Sequence, residues 1–313
     1  MLLHELFIRL PAPVREELKR ALRANGHSRS VMDPLTARKD ALGKKRLDRS
    51  LRHLLDVLGA GGARCLRNAT CIEFGAGYVP MDSLSMWLLG ADSVIAVDYN
   101  DIASFRAMRL GLARADFSAV RNLLSAAAAS PGWDVRLQVL MGIGATPFRA
   151  SSFDDIPFRY IAPLDVIANP EKLPGFDFVW STSVLEHIGP TKLFSVLGAL
   201  NGRANLDAVH VHRVDLRDHR DFVQAPYAFL DPCVPFDPES QADARGNGMT
   251  LDAWESELAK YPELGLRVAD VEPGRPWLVP VDPRTGQPIV TRVADHLTVA
   301  SSNFDPQLSS GEQ

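Results

Sequence analysis

The rhythm of apolar and polar positions changes once along this chain, near residue 69. Before that point Leu47, Leu51, Leu54, Leu55 and Leu58 recur at three- and four-residue spacing in "KKRLDRSLRHLLDVLGAGG", which predicts a helix that ends in glycines. Upstream, "PAPVREELKRALRANG" sets prolines ahead of a second helical pattern and Gly26 after it, the usual start and stop signals. After residue 69 come short apolar runs: "ATCIEF", "SVIAVDY", "FRYIAPLD", "FDFVWSTS" and "DAVHVHRVDL" predict five strands. Helical patterns separate them in "MDSLSMWLLGA", in one long stretch "IASFRAMRLGLARADFSAVRNLLSAAAA", and in "VLEHIGPTKLFSVLGALNG". Strands alternating with helices predict an α/β chain, a parallel sheet wound with helices on both faces. Two further runs, "LGLRVADVEPGRP" and "ADHLTVASSNF", lack a helical pattern between them and predict a terminal antiparallel hairpin at a sheet edge. The expected division is a helical N-terminal extension over 1–64, one sheet domain over 65–305 and a disordered tail at 306–313. Residues 216–250, rich in Pro, Asp and aromatics, are too long for a plain connection and predict a substrate-side insertion.

Composition narrows the class. At 313 residues, with 46% hydrophobic and 23% charged, the chain is ordinary for a soluble globular protein with a sizeable core. A formal net charge of -4 lacks the basic footprint of nucleic-acid binding, so no nucleic acid is expected as a partner. The run Lys44–Arg46 reads as a solvated helix face or as an attractor for an anionic group. Cys65, Cys71 and Cys233 are odd in number and show no CxxC spacing, which argues against a disulfide framework or structural zinc and fits a reducing cytoplasm. The first residues meet charge at Glu5 and Arg9, and no run approaches the roughly 18 apolar residues of a spanning helix, so no membrane association is expected.

Ligands of a doubly wound sheet bind beyond the carboxyl ends of its strands. The stretch "CIEFGAGYVP" ends one apolar run at Glu73 and follows it with Gly75 and Gly77, which suits a tight turn or the close approach of a ligand. Asp98 ends the next run, where a carboxylate accepts hydrogen bonds from two ribose hydroxyls or caps a helix. Asp165 ends the third, where it suits an adenine amino group or simple turn chemistry. With these residues the chain resembles the class I S-adenosylmethionine (SAM)-dependent methyltransferases over about residues 65–305. The resemblance rests on "EFGAGYVP", "VIAVDYN", "APLDV" and "FDFVWSTSVLEHI" in that order. It implies a Rossmann-like seven-stranded sheet, SAM as cofactor, and contacts to it from Glu73, Gly75, Ala76, Gly77, Asp98, Tyr99, Asp165, Val166 and Ser181. The third glycine of the family's usual turn is replaced by Val79, so the turn must differ locally.

Methyl transfer to a hydroxyl needs in-line placement and a proton acceptor. His187 in "VLEHI" is expected to open the helix after the fourth strand, as a base or as a helix-start hydrogen bonder. In "HVHRVDLRDHRD", His212, Asp215, Asp218 and His219 crowd the end of the fifth strand. There His219 or His212 is the expected base, Asp215 its orienting partner and His187 the reserve. His212, Asp215 and His219 would also suit a divalent cation, but their spacing matches no established metal motif and no metal is assigned. The pairing of "EFGAGYVP" with "HRVDLRDH" resembles a bacterial methyltransferase group of glycan and secondary-metabolite pathways, which implies O-methylation of a sugar or other small hydroxylated acceptor. An NAD(P)-dependent oxidoreductase on a related sheet, a non-catalytic SAM-binding or scaffold module, and an N-methyltransferase of a small amine are the competing readings. The expected partner is the small acceptor, with a homodimer left open.

Overall fold

The leucines of the first helical pattern do what their spacing predicts. In the helix Leu47–Cys65 (α1), Leu47, Leu51, Leu54 and Leu58 are all fully buried. The helix runs past the glycines expected to end it, with the backbone broken at Gly59 (φ 62°), a left-handed geometry that favours a residue without Cβ. The computed structural model describes Val14 and residues 46–127, 129–145 and 153–304, so the helix expected in residues 11–26, Lys44 and Lys45, and the tail at 306–313 lie outside the described residues.

Seven strands form one sheet: Thr70–Phe74 (β1), Ser93–Val97 (β2), Arg159–Ile161 (β3), Phe176–Thr182 (β4), Ala204–Asp215 (β5), Leu266–Pro273 (β6) and Ala294–Ser301 (β7). Their order is β3-β2-β1-β4-β5-β7-β6, which is the expected seven-stranded α/β sheet. Parallel pairing sets Thr70 opposite Ser93 and Phe74 opposite Val97, so β1 and β2 end together. Antiparallel pairing closes the other end, with Val211 opposite Ala300 and Asp215 opposite His296 between β5 and β7, and β6 antiparallel to β7 beyond them.

The described residues divide into two compact units. One runs through Asp165 and includes Gly175–Val179; the other holds Val166–Pro174 and Trp180–Phe304. In the first unit α1 lies against the helix Met81–Leu89 (α2), where the Ser50 hydroxyl meets Asp82 and, at 2.9 Å, the Ser85 hydroxyl. The long helical stretch expected after β2 is instead two helices, Phe105–Ala113 (α3) and Phe117–Ala126 (α4). Asp116 breaks it by accepting the backbone N–H groups of Ser118 (3.1 Å) and Ala119 (3.0 Å), an N-cap that satisfies donors a new helix leaves open. A third helix, Trp133–Ala145 (α5), is not marked by the apolar pattern. Its apolar residues surround it, and Leu137 and Leu140 are buried while Val135 and Val139 face solvent.

In the second unit the helix expected to begin at Val184 starts later. A 3-10 turn, Leu185–His187, precedes the helix Pro190–Asn201 (α6), whose first position is a proline preset for helical φ. The expected insertion at 216–250 carries a short helix, Pro238–Arg245 (α7), capped by Asp237 on the Glu239 N–H at 3.1 Å. Thr250 caps the next helix, Leu251–Leu258 (α8), through the Ala253 N–H at 3.2 Å.

Candidate functional site

In the first unit the turn after β1 folds over the end of β2. The N–H groups of Gly75 and Ala76 donate to the Val97 carbonyl at 2.8 and 3.0 Å, and that of Gly77 donates to Asp98 Oδ2 at 2.7 Å. Gly75 (φ 76°) and Gly77 (φ 65°) both take left-handed backbone. A Cβ at Gly77 would meet only the Gly75 carbonyl, at 3.9 Å, so conformation rather than crowding calls for glycine there. Asp98 is 7% exposed, and its other oxygen accepts the Asn100 N–H at 2.8 Å. Burial raises its pKa, opposed by the Asn100 and Gly77 amides.

Glu73 works on the inner side of the same turn. Its Oε2 accepts the N–H of Ser83 at 2.8 Å and the Ser83 hydroxyl, so the buried carboxylate satisfies an amide in the first turn of α2. Asp165 does not close β3, which ends four residues earlier at Ile161. Pro163 has no N–H to continue the ladder, and the chain returns through the Leu164 N–H to the Asp98 carbonyl at 2.9 Å. Asp165 is half-buried next to that bond, and Tyr99 is 67% exposed. Ala76 is buried.

In the second unit Val166 is buried, and the histidines expected to crowd one strand mouth separate into two environments. His212 is 0% exposed, with Nδ1 2.8 Å from the equally buried Ser181 hydroxyl. Burial first, then the neighbouring His210, holds its pKa well below the usual imidazole range. His212 is therefore a neutral core group, and not the exposed base expected from the strand's sequence. The physical reason is that β5 lies inside the sheet: Val209 and Val211 on one face are buried along with His210 and His212 on the other, so both faces are covered there.

His219 lies past the strand in a different setting. Its ring packs edge-on to His187, centroids 4.8 Å apart at 70°, and its buried Nε2 has no hydrogen-bond partner. Burial and the nearby His187 lower its pKa to about 4, against the pull of Asp215. The orienting partner expected of it is engaged elsewhere. Asp215 takes a two-pronged contact from Arg217, Nε to Oδ1 at 2.9 Å and a terminal nitrogen to Oδ2 at 2.8 Å, while its distance to His219 Nε2 is 4.0 Å. Burial pushes the Asp215 carboxyl up, but Arg217 and His296 outweigh it and hold it well below the carboxylate range. Asp218 is fully buried and paired with Arg245 at 2.5 and 3.0 Å.

His187 sits in the 3-10 turn, where its Nδ1 lies 3.1 Å from the Asp243 carbonyl and 3.3 Å from that of Ala242, both in the last turns of α7. Carbonyls only accept, so Nδ1 carries a proton, and in the neutral ring the lone pair is on Nε2. The side-chain amide of Asn247 fastens the turn by donating to the Leu185 and Ile188 carbonyls, each at 3.1 Å. Beside His187 is a residue that the sequence reading passed over. Glu186 is 1% exposed, and neither carboxylate oxygen closes a hydrogen bond of normal geometry. Burial raises its pKa to about 8 and the Asp215 charge adds to that, opposed by nearby backbone amides and the Ser183 hydroxyl. One ligand atom each from Glu186, His187 and His219 falls within 4.8 Å of the others. The signal was present in "VLEHI" as an acid beside the histidine, but burial and the return of His219 to it are tertiary facts.

No family model and no curated protein matches the chain. Solved structures with similar folds include an O-methyltransferase family protein from Burkholderia thailandensis, 12% identical, with a TM-score of 0.42 over 88% of this chain and 63% of that one. The methyltransferase domain of bacterial CtHen1-CN is 14% identical, with a TM-score of 0.39 over 82% of this chain and 98% of that one. The ribosomal protein L11 methylase of Lactobacillus delbrueckii subsp. bulgaricus is 13% identical, with a TM-score of 0.33 over 74% of this chain and 68% of that one. The chain spans less than two thirds of the Burkholderia protein. Among the described residues no helix is long and apolar enough to cross a membrane.

Proposed function

We propose that the chain is a SAM-dependent methyltransferase that acts on a hydroxyl of a small molecule or sugar. The observation that carries the cofactor reading is the buried Asp98 carboxylate at the tip of β2, fixed to the glycine turn through Gly77 and to Asn100. Each carboxylate oxygen bonds one amide and has a second lone pair, so a ribose diol can add to Asp98 without displacing the turn. β1, whose turn this is, stands where the strand order changes direction, and ligands of open α/β sheets lie outside the carboxyl ends at that point.

The same turn disfavours a nicotinamide dinucleotide. A pyrophosphate cradle needs free backbone N–H groups at the glycine turn. Here the N–H groups of Gly75, Ala76 and Gly77 are all committed to Val97 and Asp98. SAM has no phosphate and makes no such demand. Glu73, Ala76, Tyr99 and Asp165 stay in the proposal as neighbours of the cofactor, with Glu73 acting through the turn it holds, while Val166 and Ser181 rest on the sequence resemblance alone.

On the acceptor side the reading passes to Glu186, His187 and His219. His212 and Asp215 are proposed to hold the end of β5, one through Ser181 and the other through Arg217. The pathway group, and so glycan or secondary-metabolite acceptors, rests on the sequence resemblance. Calorimetry with SAM and with reduced nicotinamide dinucleotides tests the cofactor. Micromolar SAM binding without dinucleotide binding supports the reading, and the reverse overturns it. Labelled SAM offered with sugar, phenol and amine libraries then tests the acceptor, and product from amines alone would replace O- with N-methylation.

A further inference from the structure

We infer that Glu186, His187 and His219 form a binding site for one divalent transition-metal ion, built from two imidazoles and a carboxylate. The three side chains offer ligand atoms within 4.8 Å of one another. An ion with bonds of about 2.1 Å in tetrahedral geometry separates its ligand atoms by roughly 3.4 Å. Side-chain rotations on the order of an ångström therefore close the set.

Each ligand is already prepared for the role. Glu186 is 1% exposed and both of its oxygens lack a hydrogen-bond partner of normal geometry, a costly state for a carboxylate unless a cation or a proton satisfies it. His187 donates from Nδ1 to the Ala242 and Asp243 carbonyls, the outer hydrogen bond that orients an imidazole and directs its other nitrogen at a metal. His219 has a buried Nε2 without a hydrogen-bond partner, 4.0 Å from Asp215 Oδ2, and its backbone N–H is held by the Arg245 carbonyl at 3.1 Å. The His187 ring and the His219 backbone are thus both held to the C-terminal end of α7. That anchoring is reinforced by the buried Asp218–Arg245 pair one residue before His219.

The donor set selects the ion. Two nitrogens with one carboxylate suit Zn²⁺, Mn²⁺, Fe²⁺ or Co²⁺, whereas Mg²⁺ and Ca²⁺ take oxygen ligands. Three protein ligands leave coordination positions for water or an acceptor hydroxyl, whose acidity a bound ion would raise. The cation set considered from sequence differs from this one: His212 is sealed in the core with Ser181, and Asp215 is held by Arg217. The metal site stands on unit-two residues alone and does not depend on methyl transfer being the reaction.

The test uses the full chain after exhaustive chelation, titrated with Co²⁺ and Zn²⁺ in the absence of SAM. One equivalent of Co²⁺ with visible absorption of a four- or five-coordinate ion is expected. His219→Gln and Glu186→Gln should each weaken binding by at least tenfold, the scale for loss of a ligand or its support. His212→Gln, outside the set, should leave the metal affinity unchanged. Folding of each variant is checked by its circular dichroism and urea unfolding. No stoichiometric binding to the wild type overturns the site. So does binding that a folded His219→Gln retains in full. Failure of SAM to bind would overturn the cofactor reading and leave this result intact.

Discussion

Asp98→Ala removes a side chain that joins the β2 end to the glycine turn. Two backbone donors lose their acceptor, the Gly77 N–H at 2.7 Å and the Asn100 N–H at 2.8 Å. Hydrogen bonds to a charged group are worth about 1.5–3 kcal/mol each, but burial of the Asp98 charge carries its own cost and the freed amides can reach water. A net loss of about 1–3 kcal/mol in folding stability follows. Where Asp98 also binds a ribose diol, SAM affinity falls by a further 1–3 kcal/mol, about 5- to 150-fold. Asp98→Asn separates the two effects. Its carbonyl oxygen keeps one backbone amide, while its NH₂ replaces an acceptor by a donor, so stability recovers in part and the diol contact does not. Urea unfolding of both variants measures the first quantity and SAM calorimetry on the folded proteins measures the second. Wild-type SAM affinity in a folded Asp98→Ala protein would refute the assignment of this carboxylate to the cofactor.

Two further outcomes test the second unit. Asp218→Ala leaves the Arg245 guanidinium buried without its carboxylate, a loss of about 3–5 kcal/mol by denaturant unfolding; a change under 1 kcal/mol would show that Arg245 finds another partner. His210 is buried with its pKa lowered to about 4 by desolvation, and its ring lies 5.7 Å from that of His212. The unfolded chain therefore binds the proton first, and this contribution is present above about pH 6.5 and lost as pH falls toward 4, so His210→Gln should flatten the loss between about pH 7.5 and pH 5 by about 2 kcal/mol. An identical pH slope in wild type and variant would rule out that origin.

Local periodicity carried the architecture. Alternating apolar runs and helical stripes are set by the bonding geometry of each element, and the order of elements along the chain limits how they can assemble into a sheet. So Leu47, Leu51, Leu54 and Leu58 identified a buried helix face, and the strand ends identified Asp98 and the turn at Gly75–Gly77. The same reading erred first at local breakers inside a periodic run. Pro163 cut β3 short of Asp165, and Asp116 divided one expected helix into two by capping the second. The acceptor-side chemistry was least legible. His212 and His219 read alike in "HVHRVDLRDHRD", yet both faces of β5 are covered at His212 and the loop beyond the strand turns back. Only the fold sealed His212 against Ser181 and carried His219 to Glu186 and His187, while Asp215 went to Arg217 two residues along the chain. Sequence specifies which groups a chain owns and which elements bear them. Their burial, and partners such as Ser181 for His212 or His187 for His219, depend on contacts between residues 31 or more positions apart, and those exist only in the packed structure.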